Sequence, residues 1–192
     1  MPLSYQHLSN ILSILWGILL IYWLVTAFNT KKAAYRQNWY ARILYTIILI
    51  ALFEILFDHH WMLGGALLAN ALTTQIVGII LSGAGIAFAI WARFVLGKNW
   101  SGIPSIKEGH ELIQSGPYAI VRHPIYTGII LSALGDAIAF GFRVEYIAIV
   151  FALFVSFWVK LQSEEKLMMK QFPEKYPEYK EKVRGAIIPS VL

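Results

Sequence analysis

The residues best suited to chemistry lie in one stretch, Gly116-Pro117-Tyr118-Ala119-Ile120-Val121-Arg122-His123-Pro124-Ile125-Tyr126-Thr127-Gly128. Pro117 and Pro124 break or start helices, because proline lacks an N–H and clashes in a helix interior. Gly116 and Gly128 let backbone or ligand come close. Tyr118 and Tyr126 flank Arg122-His123-Pro124 at spacings that could enclose a planar heterocycle or pair a cation with a ring face. Together these groups suit a polar, partly charged molecule held at a membrane surface, and the stretch reads as a cofactor pocket. A second pair, Glu164-Glu165, directly follows a long apolar run. Carboxylates favour helix N-termini over C-termini, so this pair is locally misplaced unless a cation sits opposite.

The elements that must position these groups are apolar helices. Hydrophobic residues make up 58% of the 192 and charged ones 14%, against about 45–50% and about 25% in soluble domains. The chain therefore belongs with integral membrane proteins. His7 to Phe28 is a first span. It lacks the basic start and small-residue cleavage site of a signal peptide, and is expected to stay. Ala41 to Phe57 is a second span, ending at Asp58-His59-His60. Asn70 to Leu96 is a third, with Gly78, Gly83 and Gly85 suited to close helix packing in lipid. Ile125 to Phe140 and Arg143 to Gln162 are the fourth and fifth, joined so tightly at Phe140-Gly141-Phe142 that they must form an antiparallel hairpin. That hairpin returns Arg122 and His123 to the same membrane face as Glu164 and Glu165. The polar connection from Arg93 to His123 is long for a structureless loop, which marks it as functional. From Ser163 the tail alternates charges, with Leu167, Met168, Phe172, Tyr176 and Tyr179 at roughly helical spacing. It reads as an amphipathic helix on the membrane surface, broken at Pro173 and Pro177.

The expected fold is an all-α integral membrane bundle of five transmembrane helices. Its cytoplasmic pocket is built from the 97–128 segment and the C-terminal helix. Residues 1–192 form one domain, with two N-terminal spans in 1–70 and a catalytic core in 71–192. Of the 16 Lys and Arg, 15 fall on one side of this map and only Arg143 on the other. By the positive-inside rule the N-terminus is outside, and the tail and the 116–128 stretch are cytoplasmic. The net charge of +5 thus reflects orientation rather than nucleic-acid binding. Absence of cysteine excludes disulfides and thiolate zinc sites. Adjacent histidines at His59-His60 are weak ligands on their own, so no metal is expected. Glu54 and Asp136, ionisable groups inside apolar segments, lie near the outer helix ends and are given structural roles.

With Lys98-Asn99-Trp100-Ser101, Lys107-Glu108-Gly109-His110-Glu111-Leu112, Ser115-Gly116-Pro117-Tyr118, Val121 to Gly128, Glu164-Glu165 and Phe172…Tyr176…Tyr179, the chain resembles the isoprenylcysteine carboxyl methyltransferase family and its phospholipid methyltransferase relatives. The match runs over roughly residues 75–190. It implies an enzyme using S-adenosylmethionine, with S-adenosylhomocysteine as product. The implied cofactor residues are Lys107, His110, Leu112, Gly116, Tyr118, Arg122, His123, Pro124, Tyr126, Gly128, Glu164 and Glu165. Arg122, Asn99 and Trp100 are the implied catalytic residues. Two positions depart from the family: Gln162 stands where an arginine often precedes the glutamates, and Arg184 where a proline often follows the valine of the tail.

The expected reaction is in-line methyl transfer to a lipid-like acceptor, foremost the carboxylate of a prenylcysteine. A carboxylate, with a reference pKa of about 4, is already ionised and needs no general base. Arg122 or Lys160 could orient it. The partners are then the bilayer and a lipophilic or prenylated acceptor. Alternatives are a phospholipid amine N-methyltransferase, an NADPH-dependent sterol-type reductase, and a scaffold whose polar cluster only fixes helix packing.

Overall fold

A computed structural model describes residues 1–27, 29–31, 33–36, 66–68, 71–100, 105–107 and 109–190. Among them, Tyr5–Ala27 (α1), Leu72–Leu96 (α2), Pro124–Ala139 (α3) and Val144–Gln171 (α4) are the main helices, and Lys175–Lys182 (α5) closes the chain. α1, α2 and α4 are long and apolar enough to cross a membrane, and α3 is a shorter apolar helix. The molecule is an integral membrane helical bundle. The second span expected at 41–57, with Glu54, His59 and His60, lies outside the described residues.

Small residues hold the bundle together. Gly78, Ser82, Gly85 and Ala89 of α2 meet Gly128, Ser132, Gly135 and Ala139 of α3. A Cβ added to Gly85 would lie 2.5 Å from the Gly128 carbonyl, so the backbones touch directly. Lipid offers apolar surface as readily as protein does, and such close approach supplies the dispersion that burial cannot. Ser82 and Ser132 share a hydrogen bond at 2.9 Å across this contact. The α3–α4 hairpin forms as expected, its turn carried by Gly141 at φ 86° and Phe142 at φ 54°.

Two features differ from expectation. α4 does not stop at Gln162 but runs on to Gln171, so Glu164 and Glu165 sit on a continuous helix rather than on a separate surface helix. No glycine or proline interrupts 163–172, and Lys160 and Glu164 stand four residues apart on one face at 4.0 Å, a spacing that supports helix. Pro173 forces the break, with Phe172 before it held out of the helical region at φ −130°, ψ 66°. Pro177 falls in the first turn of α5, where its missing N–H costs nothing. The second difference is a small antiparallel ribbon. Ala33–Arg36 (β1) pairs with Ser105–Lys107 (β2), Tyr35 opposite Ile106. It ties the loop after α1 to the loop after α2. The backbone N–H of Lys31 donates to the Lys98 carbonyl beside it at 2.9 Å.

Candidate active site

The α3–α4 hairpin brings the two charged ends together. Arg122 Nε donates to Glu165 Oε1 at 2.8 Å, with both side chains less than a tenth exposed. His123 stands between the two glutamates. Its Nδ1 is 3.5 Å from Glu164 Oε2, and its Nε2 is 3.6 Å from Glu165 Oε1, too long for a hydrogen bond. Burial opposes a charged ring here. The two carboxylates beside it outweigh burial and raise the His123 pKa above its ordinary value.

The helical step of about 100° per residue gives the adjacent glutamates different jobs. Glu164 lines a cavity and accepts from Tyr126 Oη at 2.7 Å. Glu165 is turned away from it and also accepts from Lys180 Nζ at 2.6 Å. Tyr126 stacks nearly parallel with His123 and with Phe157, centroids 5.4 and 4.5 Å away. Its ring face therefore packs on protein instead of lying open. Lys160 Nζ sits 5.3 Å from the Tyr126 ring centroid.

The cavity has a volume of about 410 Å³. Its wall includes Asn99, Trp100, His110, Leu112, Tyr118, Arg122, His123, Pro124, Tyr126 and Glu164 from the sequence-derived set. Three members of that set lie elsewhere. Glu165 anchors Arg122. Gly128 faces α2, where a Cβ would clash with Ala89. Gly116 starts a 3-10 turn at φ 61° and packs near Val95 and Trp91. Lys107 is in β2, with only its backbone described. A resemblance carried by short motifs does not reveal which face of a helix each residue of the motif occupies.

The wall also holds residues that were not assigned to the site from sequence: Trp23 from α1, Ile129, Phe157, Leu167, Met168 and, from α5, Tyr176 and Tyr179. The tail tyrosines had a signal, a three-residue spacing on one helix face. Trp23 had none. Tyr179 Oη donates to the Tyr118 carbonyl at 2.7 Å, which docks α5 on the 116–119 turn.

Arg122 does more than pair with Glu165. Its Nη1 donates to the carbonyls of Val183 and Arg184 at 2.8 and 2.6 Å. The N–H groups of Arg122 and His123 donate to the carbonyls of Gly185 and Ala186, and Thr127 Oγ1 to that of Ile187. The chain after α5 thus straps across the Arg-His-Pro segment.

Residues 73–175 match the family model described as phospholipid methyltransferase, more than half of the chain. The chain belongs to the phospholipid methyltransferase family. Within that family it is similar to protein-S-isoprenylcysteine O-methyltransferases. It is 32% identical to that of Schizosaccharomyces pombe over 47% of this chain and 39% of the relative. It is 31% identical to that of Saccharomyces cerevisiae over 65% and 52%. The chain thus spans about half or less of the length of these curated relatives. A solved eukaryotic intramembrane Ras methyltransferase, isoprenylcysteine carboxyl methyltransferase, shares the fold. Its TM-score is 0.58 at 22% identity, covering 81% of this chain and 55% of that one.

The site suits a small polar ligand of the kind a methyltransferase of this family would use. A volume of about 410 Å³ lies within the range of about 300–1,000 Å³ common for ligand pockets. Two buried polar atoms on wall residues, Asn99 Oδ1 and His123 Nε2, lack hydrogen-bond partners among the described residues, and unpaired buried polar atoms are rare in native proteins. The wall offers carboxylate, imidazole and amide side by side, the donors and acceptors that an amino-acid moiety and an adenine require.

Proposed function

We propose that this protein is an S-adenosylmethionine-dependent methyltransferase acting on a lipid-like carboxylate, of the prenylcysteine type, at the cytoplasmic membrane face. The observation that carries the reading is the placement of His123 and Glu164 together on the wall of a cavity of cofactor size. Family membership and the names of the curated relatives support it.

Asn99, His110, Leu112, Tyr118, His123, Pro124, Tyr126 and Glu164 would hold the cofactor. When bound, S-adenosylmethionine supplies an electrophilic methyl group on a positively charged sulfur. Glu164 gives that charge an anionic neighbour, and the packed aromatic rings exclude water. Lys160 is the cation assigned to the acceptor carboxylate. It lines the cavity, whereas Arg122 already serves Glu165 and two carbonyls of the strap. An ionised carboxylate has no proton to lose, so the residues here need only align and desolvate it. Alignment can lower a barrier by about 7–11 kcal/mol in favourable cases. The 15-to-1 division of basic residues supports the cytoplasmic placement.

Titration of the purified protein with S-adenosylhomocysteine tests the reading by calorimetry. Saturable binding is expected, weakened at least about tenfold by Glu164→Gln, the loss of one charge-assisted contact. A folded wild type that binds none overturns it. Lys160→Met should lower kcat/KM for the acceptor while leaving cofactor affinity in place. Turnover that rises with pH through an amine's ionisation would instead show the phospholipid amine reaction.

A further inference from the structure

Arg93 has no part in the proposed methyl transfer, yet it is a full cation only 2% exposed. Burying a charge is costly unless it is well paired. Here Nη1 donates to the Gly97 carbonyl and Nη2 to the Thr26 carbonyl in the last turn of α1, each at 2.8 Å. The guanidinium carbon lies 4.5 Å from the centroid of the Trp100 ring, a cation–π contact favoured by desolvation. Trp100 in turn meets Trp23 of α1 edge to face, centroids 6.2 Å apart at 86°. Trp23 stands one turn before Thr26, whose hydroxyl donates to the Tyr22 carbonyl at 2.8 Å. The contacts close a circuit from α1 through Arg93 and Trp100 back to α1.

Both indoles of this circuit line the cavity. Trp23 is half-buried, and its helix neighbours Leu20, Ile21, Leu24 and Val25 are more than half exposed, as lipid-facing residues are. The indole is therefore the part of α1 that stands between the cavity and its apolar outer face. Volume sharpens the point. About 410 Å³ accommodates roughly one drug-sized molecule, which leaves no room for a long hydrocarbon chain beside a cofactor unless the chain passes the apolar wall.

From this we infer that Trp23 is the residue that selects the acceptor by the bulk of its apolar group, with Arg93 positioning Trp100 behind it. This inference rests on the methyltransferase reading for its acceptor class, a carboxylate carrying an unsaturated hydrocarbon chain. Arg93 sets the pitch of the Trp100 ring, Trp100 sets that of Trp23, and the edge of the Trp23 indole meets the chain.

The test uses the full chain and a series of S-prenylcysteines of increasing length. Affinity for each is measured by calorimetry and turnover by methyl transfer, with S-adenosylhomocysteine affinity taken alongside. Trp23→Ala should shift the long-to-short ratio of both affinity and kcat/KM by about tenfold toward longer chains, the scale of a missing apolar contact in a selective pocket. Trp23→Phe should give a smaller shift. Arg93→Met should move the ratio in the same direction, through Trp100. S-adenosylhomocysteine affinity should stay within about twofold of wild type in both Trp23 variants, a shift too small to count as a lost contact. A folded Trp23→Ala protein with an unchanged ratio overturns the inference. The same holds for a Trp23→Ala protein that does not fold while Trp23→Phe folds with an unchanged ratio. Prenylcysteine binding without S-adenosylhomocysteine binding sinks the methyl-transfer reading and leaves the selector to be judged by affinities. Absence of binding to every prenylcysteine overturns the selector itself.

Discussion

Two of the groups of polar side chains buried among the described residues behave differently. In the helix interior, Asp136 of α3 accepts from Trp16 Nε1 of α1 at 2.7 Å, near the hydrogen-bonded Ser82–Ser132 pair. Asp136 is 2% exposed and is not on the wall of the cavity. At the end of the same helix, Arg122 and His123 meet Glu164 and Glu165, and there the wall opens on a cavity with orphaned polar atoms. Burial of a carboxylate is common to both. Spare bonding capacity is common to both as well, since Asp136 Oδ1 also lacks a partner among the described residues; what separates them is the open cavity, which marks a ligand site, where a carboxylate closed in between packed helices marks a fastening.

Breaking the Arg122–Glu165 pair should have the largest effect. Arg122→Met leaves the buried Glu165 with Lys180 alone and cuts two of the strap's five hydrogen bonds, a loss of about 3 kcal/mol, the low end for breaking a buried pair, seen as a large drop in melting temperature in detergent. Asp136→Asn should cost less, about 1–2 kcal/mol as for polar contacts between membrane helices, with S-adenosylhomocysteine affinity unchanged. If that affinity fell as steeply as stability, the contrast between the clusters would collapse. The third effect is one of pH. Because the folded His123 pKa lies above its ordinary value, its contribution is fully present below about 6.5 and fades as pH rises through the folded pKa. Melting temperature followed against pH should show that fall, and His123→Gln should flatten it. Lys180→Ala should matter least. Its side chain is 40% exposed, and exposed ion pairs contribute about 0.2–1 kcal/mol.

Hydropathy and proline placement made the helices legible, because both act locally. The hairpin expected from Phe140-Gly141-Phe142 stands, and with it the meeting of Arg122 and His123 with the glutamates. Glu164 and Glu165 could not be told apart in the sequence, since which side of α4 faces the cavity is decided by how α3 and α5 pack. Trp23 was invisible for a related reason: α1 carries no motif, and it is tertiary contacts, those to Trp100 and to the core around Ile86 and Ala89 among them, that bring it to the wall. The β1–β2 ribbon pairs segments about 70 residues apart, a distance over which local pattern says nothing.

The strap over Arg122 is held by five consecutive carbonyls, from Val183 to Ile187. Every residue type owns a carbonyl, proline included, so the grip is blind to side-chain identity along this run. Other demands fall on the run: an added Cβ at Gly185 would strike the Ile188 carbonyl, and Val183, Ala186 and Ile187 are buried. Arg184 is exposed and gives the grip only its carbonyl. Of these five letters, only the exposed Arg184 can be rewritten freely and leave the knot tied.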